Sequence, residues 1–95
     1  MIKCTRFRAF SKDSLKGFAD FELSRIGLIL RDCTWHESNG KEWISFAARS
    51  YTTQDGTTSW TPLVEFSREA KQARAEFQRQ ALAAVRAVAA TAVSS

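Results

Sequence analysis

Hydrophobic and polar residues alternate along the N-terminal part of the chain, most regularly between residues 15 and 23. Small or apolar residues occupy every second position of that segment, namely Leu15, Gly17, Ala19, Phe21 and Leu23. The positions between them are charged, except for Phe18. A period of two residues is typical of a β-strand that buries one face. Similar segments predict further strands over residues 2–10, 28–36 and 58–66.

The dipeptide Asn39-Gly40 predicts a tight turn between the third strand and a fourth, because both residue types tolerate the positive φ of a type I′ hairpin. The turn fixes a register in which these residues face each other: Ser38 and Lys41, His36 and Trp43, Trp35 and Ile44, Cys33 and Phe46, and Arg31 and Ala48. One face of this ribbon is core material, comprising Cys33, Trp35, Ile44, Phe46 and Ala48. The other face mixes aromatic, polar and basic groups: Asp32, Thr34, His36, Trp43, Ser45, Ala47, Arg49 and Tyr51. We expect His36 to stack on Trp43.

The C-terminal part of the chain has a helical pattern. It follows a loop at Asp55-Gly56 and a strand that contains Pro62, which must lie at an edge or interrupt the strand because proline cannot donate a ladder hydrogen bond. Ser67 is a candidate N-cap, and residues 68–90 lack Gly and Pro and are rich in alanine, which favours a helix. The stripe predicted to pack on the sheet is Ala70, Ala73, Phe77, Ala81, Ala84 and Val88.

These elements predict one α+β domain over residues 1–90, with residues 91–95 as a frayed tail. The architecture is an antiparallel sheet of about five strands followed by one long C-terminal helix. A length of 95 residues suits a single domain. Neither a signal-peptide pattern nor the roughly 20 consecutive apolar residues of a membrane span is present. We therefore expect a cytoplasmic protein without a membrane partner, in which Cys4 and Cys33 stay reduced.

Positive charge is concentrated at the two ends of the chain. The sequence has 14 Lys and Arg residues against 10 Asp and Glu residues, a net charge of +4 and a pI near 9.5. Residues 1–16 contain five basic residues and one acid, residues 67–95 contain five basic residues and two acids, and the acids predominate between them. A basic balance favours polyanionic partners, nucleic acids among them.

The residues that could support catalysis are few and scattered. His36 is the only histidine, and its spacing from Cys33 places the two on opposite faces of a strand. The cysteines lack the CxxC spacing of a zinc site, and the four glycines are isolated, so that no phosphate-binding loop is formed. We therefore expect a protein that is not an enzyme and that has no metal, no cofactor and no small-molecule substrate.

Basic residues interleaved with aromatic ones form the remaining constellation. Single-stranded nucleic acids are bound by cations that follow the phosphates and by aromatic faces that stack on bases. This hypothesis assigns phosphate contacts to Arg6, Arg8, Lys12, Lys16, Lys41 and Arg49, and base stacking to Trp43 and Tyr51. An alternative or additional basic face on the helix comprises Arg68, Lys71, Arg74 and Arg79. In the competing interpretation the aromatic residues cover a dimer interface or the helix, and the cations are merely solvated.

Several segments in a fixed order carry a resemblance to a known family. They are residues 15–19, residues 29–33, the Asn39-Gly40 turn, residues 43–49, and residues 62–66 before the helix. Over about residues 2–80 the chain resembles the bacterial SpoVG family of septation and transcription regulators, and more closely its short phage-associated relatives. Where the family usually has a proline after the fourth apolar run, this chain has Ala47-Ala48.

The resemblance implies an antiparallel sheet with a C-terminal helix, assembly as a homodimer, and binding of DNA, in some members RNA, to regulate expression. A likeness of architecture alone extends to the transcriptional-coactivator and Whirly-type single-stranded-DNA binders. The rival hypothesis is a non-catalytic protein-interaction module, such as a phage-encoded adaptor, that uses the aromatic sheet face. In a third possibility the alanine-rich helices pair between subunits and leave the sheet free.

Overall fold

The computed structural model describes the backbone of residues 1–94 and the side chains of residues 1–91. The elements are β1 (Ile2–Lys12), β2 (Leu15–Leu23), β3 (Leu28–Ser38), β4 (Lys41–Ser45), β5 (Ala48–Thr52), β6 (Thr58–Pro62) and α1 (Lys71–Ser94). The first four strands form an antiparallel sheet in the order β1-β2-β3-β4, and β5 and β6 form a separate hairpin. The predicted α+β class, with an antiparallel sheet and one C-terminal helix, is confirmed. The predicted frayed tail falls partly outside the described residues and stays a prediction.

The turn between β3 and β4 has the predicted geometry. Asn39 and Gly40 have φ angles of 54° and 81°, both positive as a type I′ turn requires. The predicted pairings are confirmed as far as the end of β4, from Ser38 and Lys41 through His36 and Trp43 to Trp35 and Ile44. The local sequence thus fixes which residues of this hairpin face the core.

The predicted continuation of this ribbon is wrong. β4 ends at Ser45, so Phe46 does not pair with Cys33 and Ala48 does not pair with Arg31. Instead the ring of Phe46 packs 5.0 Å from the ring of Phe77 on the helix, and β5 pairs with β6. Phe46 therefore packs against the core beside the helix and does not extend the ladder.

The core lies between α1 and one face of the four-stranded sheet. Its buried members are Ala19, Phe21, Leu30, Cys33, Trp35, Ile44, Phe77, Ala81 and Val85. The ring of Phe21 meets that of Phe77 edge-on, with centroids 6.2 Å apart. Gly17 is required beneath the ring of Phe7, because a Cβ at that position would lie 2.8 Å from a ring carbon. The alternation predicted for β2 is therefore the one that builds the core.

The helix begins later than its sequence predicts. Ser67 closes a turn by accepting the N–H of Ala70 at 3.0 Å, and α1 begins at Lys71 instead of residue 68. Its buried stripe follows a spacing of four residues, so Val85 takes the place expected of Val88, and Ala73 is exposed. β6 likewise ends at Pro62 rather than at residue 66, because proline supplies no N–H to extend the ladder.

The helix also covers the free edge of β4. The side-chain amide of Gln78 donates to the carbonyl of Ile44 and accepts its N–H, both at 2.8 Å. An amide that does both imitates the backbone of a neighbouring strand, and a covered edge cannot pair with another chain. The described part of the chain contains no helix both long enough and apolar enough to cross a membrane.

Candidate nucleic-acid interface

The face of the four-stranded sheet opposite α1 is open to solvent. We call it the outer face, and its residues are Arg6, Arg8, Phe10, Phe18, Asp20, Asp32, Thr34, His36, Trp43 and Ser45. Strand alternation places them there, because their neighbours in sequence are the residues that bury against the helix. Arg6, Arg8, Asp32 and Trp43 are exposed, and Phe18 and His36 are half-buried.

An arginine and two phenylalanines form one cluster of the outer face. Arg8 pairs with Phe18 across β1 and β2, and its guanidinium carbon lies 4.9 Å above the centre of the Phe18 ring. Phe10 lies on the other side of the register shift in β1, with its ring 5.9 Å from that of Phe18. Proteins that bind single-stranded nucleic acids use cations to bind the phosphates and aromatic rings to stack on the bases, and this cluster contains both kinds of group.

A second cluster is centred on Trp43, as predicted. The rings of His36 and Trp43 are stacked, with centroids 5.3 Å apart and planes 9° from parallel. The Nδ1 and Nε2 atoms of His36 lie 3.1 Å from the hydroxyl of Ser14 and 2.9 Å from that of Thr34, which fixes the plane of the imidazole ring. Burial lowers the pKa of His36, so the ring is neutral near pH 7. Trp43 thus forms a fixed aromatic platform that keeps 37% of its surface exposed.

Next to the first cluster, on the side away from Trp43, a bulge in β3 opens a small pocket. Asp32 has a φ angle of 58°, and Asp20 accepts its N–H at 2.9 Å. The other carboxylate oxygen of Asp20 lies 3.3 Å from a guanidinium nitrogen of Arg31. The pocket has a volume of about 240 Å³ and is lined by Arg6, Arg8, Phe18, Ala19, Asp20 and Asp32. It therefore combines two cations, an aromatic ring and carboxylates on one side of the sheet.

Lys16 does not lie on the outer face with the other predicted phosphate contacts. A register shift between Leu15 and Gly17 turns its side chain to the helix side, where the ammonium lies 4.0 Å from the centre of the Trp35 ring. There it pairs with Glu42 at 3.5 Å. Its charge is consequently compensated within the fold.

Glu42 is the centre of this helix-side network. Its carboxylate accepts the indole N–H of Trp35 at 2.9 Å and the Nε–H of Arg86 at 3.0 Å. Burial alone would raise the pKa of the Glu42 carboxyl, but the hydrogen bond and charge of Arg86, the Trp35 bond and the charge of Lys16 lower it overall. The network joins β2, β3, β4 and α1 through one carboxylate, which is a structural role.

The remaining predicted cations are distributed over several surfaces. Lys12 and Lys41 are exposed at the end of the sheet that carries both turns, where Glu37 donates its N–H to the carbonyl of Ser14. Arg49 and Tyr51 lie on β5, outside the four-stranded sheet. Arg68 is exposed in the turn before α1, and Lys71, Arg74 and Arg79 are exposed on α1, where Arg79 pairs with Glu76. Of the residues predicted as one site, the structure brings together Arg6 and Arg8, with Trp43 on the same face.

Sequence reasoning placed Asp32 on the outer face of the hairpin, but it named none of Phe18, Asp20 and Asp32 as a site residue. Phe18 carried a usable signal, since it is the one aromatic residue among the charged positions of β2. The bulge that joins Asp20 to Asp32 carried none, because a bulge arises from the pairing of two strands and leaves no mark in either sequence alone.

The cysteines and the histidine are arranged as the strand pattern predicts. Cys33 is buried against the helix and His36 lies on the opposite face. Burial, with the nearby charge of Asp20, raises the pKa of the Cys33 thiol to about 12, so it stays protonated. Within residues 1–91, no three His, Cys, Asp or Glu side chains are grouped so as to hold a metal ion.

No protein-family model, no curated protein and no solved structure matches this chain. The resemblance to the SpoVG family therefore stays a prediction, and function has to be argued from the outer face itself.

Proposed function

We propose that this protein binds single-stranded nucleic acid, DNA or RNA, on the outer face of its four-stranded sheet, as a regulatory module without catalytic activity. One observation carries the proposal. The outer face holds the guanidinium groups of Arg6 and Arg8 on the same side of the sheet as the rings of Phe18 and Trp43, and within the described residues neither arginine is paired with a carboxylate.

The chemistry of these groups suits single strands better than duplexes. Aromatic side chains on a sheet surface can stack only on bases that are not already stacked in a duplex. Each stacked base contributes about 1–3 kcal/mol, and guanidinium groups bind the phosphates between the bases. Stacking and phosphate contacts of this kind require no base-specific contact.

A fluorescence titration tests the proposal. Single-stranded DNA, single-stranded RNA and duplex DNA are added in turn, and tryptophan emission is followed from low to high salt. Base stacking on Trp43 should quench the emission, and log affinity should fall against log salt with a slope of roughly −0.7 per phosphate neutralised on a single strand. Contacts between cations and phosphates are strong at about 50 mM salt. If no polymer binds under that condition, the proposal is wrong.

Two double variants with equal charge change locate the surface. Arg6→Glu with Arg8→Glu reverses the charge of the outer face. Lys71→Glu with Arg74→Glu reverses the charge of the exposed first turns of α1. We expect the first pair to abolish binding and the second to weaken it slightly through the general loss of positive charge. The opposite result would move the interface to the helix.

We also propose that the protein acts as a cytoplasmic homodimer, as the resemblance to SpoVG implies. Exposed apolar side chains support this part of the proposal, because monomers rarely leave such residues grouped on the surface. Leu28 and Val64 are 46% and 40% exposed and border one apolar groove beside Phe66. Sedimentation equilibrium should give twice the monomer mass, and Leu28→Glu should restore the monomer.

A protein-interaction module is the second candidate, and the β5–β6 hairpin favours it. Tyr51 and Trp60 are 49% and 65% exposed and lie on opposite faces of this hairpin. Its loop is held by Asp55, whose carboxylate accepts hydrogen bonds from Thr53 and Thr57. Arg49→Glu separates the two candidates. If the protein binds nucleic acid, the variant should bind polynucleotides more weakly while its fold stays intact. If the protein is an interaction module, polynucleotide affinity is absent from the start and should not change.

A further inference from the structure

The bulge in β3 is maintained by a buried charge. Asp32 has a positive φ in the middle of a strand, a conformation that is uncommon outside turns for residues other than glycine. Ala19 pairs with Cys33 and Phe21 with Leu30, so that two residues of β3 oppose the single residue Asp20. Among the described residues, Asp20 is the one buried charged side chain. Bulges of this kind redirect a side chain, and they are frequent beside functional sites.

The redirected side chain is the carboxylate of Asp32. It is exposed at the wall of the pocket and, within the described residues, it has neither a hydrogen-bond donor nor an ion-pair partner. Asp20 is different, because both of its oxygens are engaged, by the N–H of Asp32 and by Arg31. Asp20 is therefore a positioning residue, and Asp32 is the acceptor left for a ligand.

The size and lining of the pocket match one nucleobase. Its volume of about 240 Å³ lies below the roughly 300–1,000 Å³ of pockets for whole small molecules. Arg8 and Phe18 supply a stacking wall, and Arg6 supplies a donor beside it. A carboxylate accepts hydrogen bonds from N–H groups, and a guanidinium donates to ring nitrogens and carbonyl oxygens.

Guanine is the base that satisfies both kinds of group. Its Watson–Crick edge has two adjacent donors, the N1–H and the 2-amino group, which match the two oxygens of a carboxylate. Its O6 and N7 atoms accept from arginine. Thymine and uracil have one donor between two carbonyl oxygens, and a carboxylate repels those oxygens.

We infer that the bulge pocket binds a guanine of the single strand, with the Asp32 carboxylate accepting from N1–H and the 2-amino group. The inference rests on the proposed function and adds base selectivity to it. Arg6 donates to the O6 side of the base, Phe18 and Arg8 stack on it, and Trp43 stacks on a base further along the same strand.

The first test uses the unmodified protein. Four oligothymidine strands are compared, which differ at one central position: thymine, adenine, guanine or hypoxanthine. Hypoxanthine is guanine without its 2-amino group. A bidentate contact discriminates between bases by about 5-fold to 150-fold, so the guanine strand should bind more tightly than the thymine strand by that factor. The hypoxanthine strand should lose most of the advantage. Equal affinity for all four strands would overturn the inference and leave the proposed function standing.

The second test uses two aspartates with the same backbone geometry. Asp13 has a φ of 54° in the β1–β2 turn, is exposed, and lies outside the pocket lining. Asp32→Asn and Asp13→Asn change the net charge equally, and asparagine tolerates this φ as well as aspartate does. Asp32→Asn should abolish the guanine preference, and Asp13→Asn should retain it. Asp32→Gly, which also accommodates the φ, should behave like Asp32→Asn. Retained preference in both Asp32 variants would overturn the inference.

A competition experiment separates a strand from a free nucleotide. The same guanine edge occurs in guanosine monophosphate, which lacks a further base for Trp43. It should displace the guanine strand only in large molar excess. Displacement at concentrations comparable to the strand would overturn the assignment to a polynucleotide. Failure of every polymer to bind would instead overturn the proposed function, and the inference with it.

Discussion

The two faces of the four-stranded sheet use the same residue types for different purposes. On the face that α1 covers, Trp35 is buried, its indole N–H bonds Glu42, and Lys16 lies over its ring. On the outer face Trp43 is stacked on His36 and remains partly exposed. Both tryptophans belong to the same hairpin. Trp35 pairs with Ile44 on the face towards the helix, and Trp43 pairs with His36 on the outer face.

The difference lies in how each face treats its charges. The helix side gathers Lys16, Arg86 and Glu42 into one compensated network. On the outer face, Arg6 and Arg8 have no carboxylate partner among the described residues, and the guanidinium of Arg8 lies over the ring of Phe18. A surface that retains unpaired cations beside exposed rings is prepared for an external anion, whereas a compensated network stabilises the fold itself.

The largest expected effect concerns the covered face. Phe21 is 0% exposed, so Phe21→Ala should lower the free energy of unfolding by about 3–5 kcal/mol. Phe10→Ala is the matched control, because Phe10 lies on the outer face and is 47% exposed. We expect this control to lower it by less than about 1.5 kcal/mol. Urea denaturation measures both, and equal losses would contradict the distinction between the two faces.

Asp20 tests whether the outer face is shaped by a buried carboxylate. Asp20→Ala removes the acceptor for the N–H of Asp32 and the partner of Arg31, and should cost about 1–3 kcal/mol of unfolding free energy. Glu22→Ala, on the same face of the same strand, should cost less than about 0.5 kcal/mol, because Glu22 has no ion-pair partner among the described residues. Amide hydrogen exchange at residue 32 should quicken only in the first variant.

Gln78 tests the covered edge of the sheet. Gln78→Ala removes two hydrogen bonds to Ile44 and should lower the free energy of unfolding by about 1–2 kcal/mol. Gln78→Glu retains the acceptor for the N–H but sets a carboxylate oxygen against the carbonyl oxygen of Ile44, so a loss at least as large is expected. Gln72→Ala, exposed on the same helix, is the control and should change the value by less than about 0.5 kcal/mol. Similar losses at positions 72 and 78 would contradict the edge-covering role.

The smallest expected effect is a pH dependence at the outer face. Burial lowers the pKa of folded His36 below its ordinary value of 6.5, so the unfolded chain binds the proton more readily. The stabilisation from neutral His36 is therefore complete above the unfolded pKa and is lost as the pH falls towards the folded pKa. Between about pH 7 and pH 5, where histidine titrates, the free energy of unfolding should fall less steeply in His36→Gln than in the unmodified protein. Parallel curves would contradict the burial of the ring.

Much of the fold was predictable because its signals are local. The strand alternation of β2 and the Asn39-Gly40 turn specify their own geometry, and the pairing of His36 with Trp43 follows from the turn. The start of α1 and the identity of Val85 in its stripe were not predictable to the residue. Helix ends depend on how the preceding segment packs, and here the chain makes one turn at Ser67 before the helix begins.

The candidate site was less predictable than the fold. Arg6, Arg8 and Trp43 were correctly expected on a sheet surface. Nothing in the sequence indicated that Lys16 would lie on the other side of the sheet. One register shift in β2 transfers Lys16 to the helix side, because side chains alternate and a shift by one residue exchanges the faces. A second shift, in β3, makes Asp32 part of the pocket.

The sequence by itself determined the fold class, the β3–β4 register and the basic, aromatic character of the chain. Those properties follow from periodicity, turn chemistry and composition, which are features of neighbouring residues. Only the tertiary structure decided where β4 ends, which cations remain unpaired, and where the pocket opens. Each of these depends on contacts between residues distant in sequence, such as Phe46 with Phe77 and Asp20 with Asp32, and the free energy of those contacts exists only once the strands and the helix have packed together.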